Sequence, residues 1–164
     1  MSELPRLHHW GYVDRPLAQV EALLRSDPLP LMHRATMSAA AQTRDMVARL
    51  SGGVGSAEIS TEVRTRVDSV RDEPPEPGLP PAMSLELHWE AAREPAVFPL
   101  LRGRLSTWQI SPTDTLVEID SEYRPRFGFL GSAVDAAFGN RIVKASVDKF
   151  LEDLLTQIRS SVKK

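Results

Sequence analysis

The stretch that decides the fold runs from residue 98 to residue 124. It reads Phe98-Pro99-Leu100-Leu101-Arg102-Gly103-Arg104-Leu105-Ser106-Thr107-Trp108-Gln109-Ile110, then Ser111-Pro112-Thr113, then Asp114-Thr115-Leu116-Val117-Glu118-Ile119-Asp120-Ser121-Glu122-Tyr123-Arg124. Leu101, Gly103, Leu105 and Thr107 alternate with charged or polar neighbours, and Val117, Ile119, Ser121 and Tyr123 do the same. A period of two belongs to a strand with one buried face. The Ser111-Pro112-Thr113 segment between the two runs is a short hairpin loop. If both strands turn their odd-numbered residues inward, the numbers of paired residues must sum to an even value. A sum of 224 sets Arg102 opposite Glu122 and Arg104 opposite Asp120, a ladder of opposite charges on the outer face. It also brings the small residues Gly103 and Ser121 together on the inner face. Glu118, Asp120 and Glu122 therefore read as a solvated face balanced by arginine and not as a cation site.

The same period extends upstream. Met83, Leu85, Leu87 and Trp89 alternate with Ser84, Glu86, His88 and Glu90, and Ile59, Thr61, Val63, Thr65 and Val67 alternate with polar or charged neighbours. Between these strands, Arg71 to Pro81 holds five of the chain's 13 prolines and is expected to be an extended loop. Met46, Ala48 and Leu50 suggest one more strand from about residue 42, ending in the turn Ser51-Gly52-Gly53-Val54-Gly55. Leu7 to Val13 forms the first strand, with Trp10 and Tyr12 on one face and His9, Gly11 and Val13 on the other. Leu17, Val20 and Leu24 predict a helix over 16–26, opened by Asp14 and Pro16 and stopped by Pro28 and Pro30. Only a short helical turn is expected near 28–34.

Downstream the period changes to that of a helix. Leu130, Val134, Phe138, Ile142, Ala145, Val147, Leu151, Leu154 and Ile158 predict one long helix over about residues 131–160. Ser132-Ala133-Val134-Asp135 resembles a capping box at its start, and Gly139-Asn140 marks a bend. A curved antiparallel sheet needs a cover for its apolar face, and this helix is what the chain supplies. The predicted fold is α+β: a helix-grip, with a curved antiparallel six-stranded sheet wrapped around a long C-terminal helix and one or two short helices after the first strand. Residues 1–164 are expected to form a single domain.

Composition narrows the function. The 20 Lys+Arg against 22 Asp+Glu give a net charge of −2, which argues against a nucleic-acid partner. The absence of cysteine excludes disulfides, thiolate-held zinc, iron–sulfur clusters and cysteine nucleophiles. The first residues lack the basic and apolar regions of a secretion signal, and no apolar run is long enough to span a membrane. A cytoplasmic location and no membrane span are expected. Nothing in the sequence specifies an oligomeric state.

A resemblance becomes specific in the C-terminal half. Phe98-Pro99-Leu100-Leu101-Arg102-Gly103-Arg104-Leu105, then Tyr123-Arg124-Pro125-Arg126-Phe127-Gly128-Phe129-Leu130-Gly131, then Asp135 and Phe150-Leu151, resemble a bacterial branch of the START-like, or SRPBCC, superfamily, relatives of polyketide cyclases/dehydrases. Arg126 stands where that branch has a second proline in the strand-to-helix turn, and Ser121 where it commonly has glycine. The resemblance covers the chain but is poor in motifs before residue 80. It implies the helix-grip and an apolar cavity between sheet and helix, and it implies no reaction.

The candidate cavity residues are Leu87, Trp89, Leu101, Leu105, Ile119, Tyr123, Phe138 and Ile142, with polar tips from Tyr12, Tyr123, Thr65, Thr107 or Ser121. A filled apolar core is the competing reading of the same pattern. The expected partner is a small apolar molecule, with no cofactor, no metal and no catalytic set. His8 and His9 point to opposite faces of their strand, and His88 reads as a surface histidine between Glu86 and Glu90. The glycines at 52, 53 and 55 lack the Lys-Ser/Thr of a phosphate loop. Two other functions compete with ligand binding. One is a cyclase/dehydratase-type enzyme moving a proton through Tyr12, Tyr123 or a histidine; the other is an interaction module using an outward patch such as Trp108 with Leu116, or the Pro-rich segment.

Overall fold

A computed structural model of the chain describes residues 6–50, 63–68, 70–73, 82–91, 100–124 and 132–162. Its elements are strand β1 (Arg6–Val13), helices α1 (Leu17–Ser26) and α2 (Pro28–Leu50), strands β2 (Val63–Val67), β3 (Arg71–Glu73), β4 (Ala82–Ala91), β5 (Leu100–Ser111) and β6 (Asp114–Arg124), and helix α3 (Ser132–Ser161). The six strands form one antiparallel sheet in the order β1-β6-β5-β4-β2, with β3 also on β4. The helix-grip expectation holds.

The register follows the parity argument. Arg102 pairs with Glu122, Gly103 with Ser121 and Arg104 with Asp120. The outer charge ladder continues onto β1, where Arg6 lies opposite Glu122 and reaches its carboxylate at 3.3 Å. On the other face Leu101, Leu105, Val117, Ile119 and Tyr123 are buried, and α3 brings down Ile142, Val147, Phe150, Leu154 and Ile158. Each such side chain stabilises the fold by about 1.5–3 kcal/mol relative to exposure. Helix α3 spans 132–161, as its periodicity predicts. Its far end is held by Arg15, whose Nε donates to the Val162 carbonyl at 2.6 Å and whose Nη2 donates to the Arg159 carbonyl at 2.9 Å. These carbonyls belong to the last turn, where a helix has no partners of its own to offer.

Two expectations fail. The strand inferred from Met46, Ala48 and Leu50, and the mere turn inferred near 28–34, are both replaced by α2, a helix of 23 residues. Pro28 and Pro30 end α1 but occupy the first turn of α2, where a missing N–H costs nothing. Leu31, Ala35, Ala39 and Thr43 are buried at a strict spacing of four, with Met32, Thr36 and Ala40 beside them, and this stripe outweighs three residues of alternation. The second failure is at Arg71–Glu73, expected to be loop, which pairs as β3 with Ala82–Ser84. β2 and β3 thus lie end to end along one side of β4, facing Leu87–Ala91 and Ala82–Ser84. The sheet still has six strands because one was gained where another was lost. The turn at 51–55, the expected strand residues 59–62 and most of the Pro-rich segment lie outside the described residues.

The two faces of β1 resolve as well. Val13 is fully buried, while Trp10 and Tyr12 are 58% and 56% exposed on the outer face. Gly11 decides the orientation. A Cβ at this position would meet Leu155 Cδ1 of α3 at 2.5 Å, so a leucine side chain of the helix lies against the glycine. Tyr12 consequently cannot supply a polar tip to the inner face.

Candidate functional site

Side chains of the concave face are arranged in cross-strand rows. Thr65, Trp89, Leu101 and Tyr123 form the row at one end. Val67, Leu87, Gly103 and Ser121 form the next, followed by Leu85, Leu105 and Ile119, then by Asp72, Met83, Thr107 and Val117. The end row matters most, because a pocket of about 280 Å³ opens there. Trp89, Leu101 and Tyr123 line its inner side, while His88, Glu90, Arg102 and Arg124 form a charged rim from the outer face.

Tyr123 is 3% exposed, and its hydroxyl donates to Asn140 Oδ1 of α3 at 2.5 Å. Burial pushes its phenol above the ordinary value of 10.0. At neutral pH it is therefore a hydrogen-bond donor, held by a neutral amide that accepts but does not take a proton.

Of the eight predicted cavity residues, Trp89, Leu101 and Tyr123 line this pocket. Leu87, Leu105, Ile119 and Ile142 are each 0% exposed and sit in the core behind it. The Phe138 side chain lies outside the described residues. The remaining polar tips are dispersed. Ser121 Oγ donates to the Leu7 carbonyl at 3.4 Å. The hydroxyls of Thr65 and Thr107 are buried and meet no hydrogen-bond partner among the described residues. Thr65 also lines a larger groove of about 540 Å³ between the start of α2 and β2, together with Leu29, Pro30 and His33. That groove receives none of the predicted residues except Thr65.

The histidines do not converge on Tyr123. His8 pairs outward with Glu118 at 3.0 Å, His9 pairs inward with Asp148 of α3, and His33 is exposed on α2. His88 turns to Asp68 and Glu86.

Two polar groups were missed in the sequence. Asn140 gives no local signal, since its role depends on where α3 crosses the sheet. Glu21 does give one: it follows Leu17 by four residues and precedes Leu24 by three, which sets a carboxyl on the apolar stripe of α1. Burial raises its pKa above 4.5; Arg25 opposes this and Asp72 adds to it. The Thr107 hydroxyl offsets the rise slightly without reaching hydrogen-bond geometry. Arg25 in turn pairs with Asp72, tying α1 to β3.

No family model matches the sequence, and no curated protein matches it. Solved structures do. A conserved protein from Geobacillus kaustophilus is 11% identical, covers 96% of this chain and 97% of its own, and superposes with a TM-score of 0.53. A Thermus thermophilus protein is 11% identical over 97% of this chain and 100% of its own, with a TM-score of 0.48. The Zhui aromatase/cyclase from a Streptomyces species is 12% identical over 98% of this chain and 96% of its own, with a TM-score of 0.42. At such identities the likeness is one of architecture alone. With its six-stranded antiparallel sheet closed by α3, this chain has a helix-grip fold.

Proposed function

We propose that the chain binds a small, largely apolar molecule in the strand-end pocket, with the Tyr123 hydroxyl as its polar contact. The observation that carries this reading is the row Trp89–Leu101–Tyr123, which gives one pocket two apolar walls and one hydroxyl oriented by Asn140, the hydroxyl oxygen being left to accept from a ligand. Ligand sites of this type are mostly apolar with a few placed polar groups. Size narrows the ligand class. At about 30 Å³ per water, 280 Å³ holds about nine waters, which suits a single substituted ring better than a long acyl chain.

Binding is favoured over proton transfer by the state of Tyr123. A general acid works best with a pKa near the operating pH, and burial moves this phenol the other way. Its partner is an amide and not a base.

Titration with phenol and with toluene, followed by tryptophan fluorescence, tests the reading. Both should bind, and Leu101→Trp, which fills the pocket, should abolish both. Tyr123→Phe should weaken phenol by about 0.5–1.5 kcal/mol, the net value of one neutral hydrogen bond, and leave toluene unchanged. Saturable binding that Leu101→Trp leaves intact would overturn it, as would no binding of either compound.

A further inference from the structure

We propose that Asp68, Glu86 and His88 form a binding site for one divalent transition-metal ion on the outer face of the sheet. In the sequence, His88 has only Glu86 and Glu90 as strand neighbours, two residues away on either side. Alternate residues on one strand face are about 6–7 Å apart, too far for close bridging by the backbone alone. The third group comes from elsewhere. Asp68 follows the end of β2, and its backbone N–H donates to the Glu86 carbonyl at 3.0 Å, extending the ladder by one step. That bond places the Asp68 carboxylate beside the β4 side chains.

His88 Nε2 then lies 3.3 Å from Asp68 Oδ2 and 3.8 Å from Glu86 Oε2, and the three donor atoms all fall within 4.8 Å of one another. Bonds of about 2.1 Å to a tetrahedral ion put neighbouring donors about 3.4 Å apart, so the imidazole already stands at ligand distance from both carboxylates. Closing the remaining edge needs only rotation of carboxylates that are 46% and 26% exposed. The His88 side chain, at 14% exposure, is the fixed member.

The chemistry selects the ion. A carboxylate pair alone would suit magnesium or calcium, and such pairs are common on solvated faces. An imidazole nitrogen between the two oxygens shifts preference to zinc and its first-row neighbours. Three protein donors leave a coordination position for water, as in open zinc sites. Neighbouring cations moderate the site without blocking it. Arg66 approaches the other Asp68 oxygen, Oδ1, at 3.9 Å and is shared with Glu90 at 3.6 Å. Arg102 and Arg104 pair in register with His88 and Glu86 and, on their other side, with Glu122 and Asp120.

The full chain, stripped by chelator, should be titrated with Zn²⁺ by calorimetry and with Co²⁺ by visible absorption. One ion per chain is expected, with Co²⁺ bands of four- or five-coordinate intensity. His88→Gln and Asp68→Asn should each lower affinity by at least about tenfold, and His33→Gln, on α2, should not change it. Asp68→Asn preserves shape on an exposed side chain, so it decides the matter if His88→Gln folds poorly. Two results would overturn the proposal: no saturable binding up to about 1 mM, or binding that these two variants leave within about twofold of the starting protein. In either case His88 serves only to bridge two carboxylates.

Discussion

The indole N–H of Trp89 on β4 donates to Thr36 Oγ1 on α2 at 2.9 Å, and neither residue is more than 1% exposed. The same hydroxyl donates to the Met32 carbonyl of its own helix at 2.7 Å. Phe150 of α3 meets the Trp89 ring edge-on, with centroids 5.4 Å apart. Sheet, second helix and third helix therefore meet at one ring that also lines the pocket.

Thr36→Val keeps the volume and removes the acceptor. Stability should fall by about 1–3 kcal/mol, the cost of leaving a buried donor unmet. Urea denaturation followed by tryptophan fluorescence measures it. A fall below about 0.5 kcal/mol would show that the indole relies on another partner.

Tyr123 should ionise late. Its folded pKa is raised above 10.0 by burial, so the unfolded chain loses the proton first. The native state then holds more protons than the unfolded state, and stability declines as pH rises from about 10 through the folded value. Tyr123→Phe should remove this alkaline decline and the late phase of the ultraviolet titration. An unchanged titration curve would contradict the buried phenol.

Glu21 gives a slope at the acid end. With its folded pKa raised above 4.5, the protonated carboxyl suits the fold better than the carboxylate. Stability from this group is fully present below 4.5 and is lost as pH rises through the folded value. Glu21→Gln should therefore be slightly more stable than the starting protein at pH 7 and equal to it near pH 3. A variant less stable at pH 7 would mean that attraction to Arg25 outweighs burial.

Gly11→Ala places a methyl 2.5 Å from Leu155 Cδ1. The methyl meets only the free end of a leucine side chain, which a change of rotamer can move aside. The cost should therefore fall at or below the low end of the about 1–3 kcal/mol seen for overpacking. The cost should shrink in a Leu155→Ala background, giving a clear coupling in a double-mutant cycle of thermal melts. Simple additivity would show that the helix does not rest on that glycine.

Legibility tracked how local the cause was. The pairing of Arg102 with Glu122 could be read from the chain because strand parity and a short hairpin leave few registers. Helix α2 was hidden by Pro28 and Pro30, which look the same whether they end one helix or begin the next, and by alanines whose weak hydrophobic contrast blurs the stripe. The triplet Arg71-Asp72-Glu73 has no apolar face, so its strand conformation comes from the free side of β4. Two faces of β1 were evident, but which one turned inward depended on α3 settling against Gly11. The hydrogen bond from Tyr123 to Asn140 and the approach of Asp68 to His88 join residues that only the assembled sheet brings together.

The grip of Arg15 on the carbonyls of Arg159 and Val162 spans 144 and 147 positions, and β1 pairs with β6 across roughly 100. On a ribosome adding about 5–20 residues per second, β1 waits several seconds for β6, the strand it pairs with, to emerge. The apolar rows of β4, β5 and β6 also wait, since their cover, α3, follows them in the chain. Contacts this distant make folding slow for the protein's size. The order of synthesis thus exposes the most adhesive surface of the molecule before the segment that hides it exists, so its yield in the cell should depend on chaperones that shield nascent sheets.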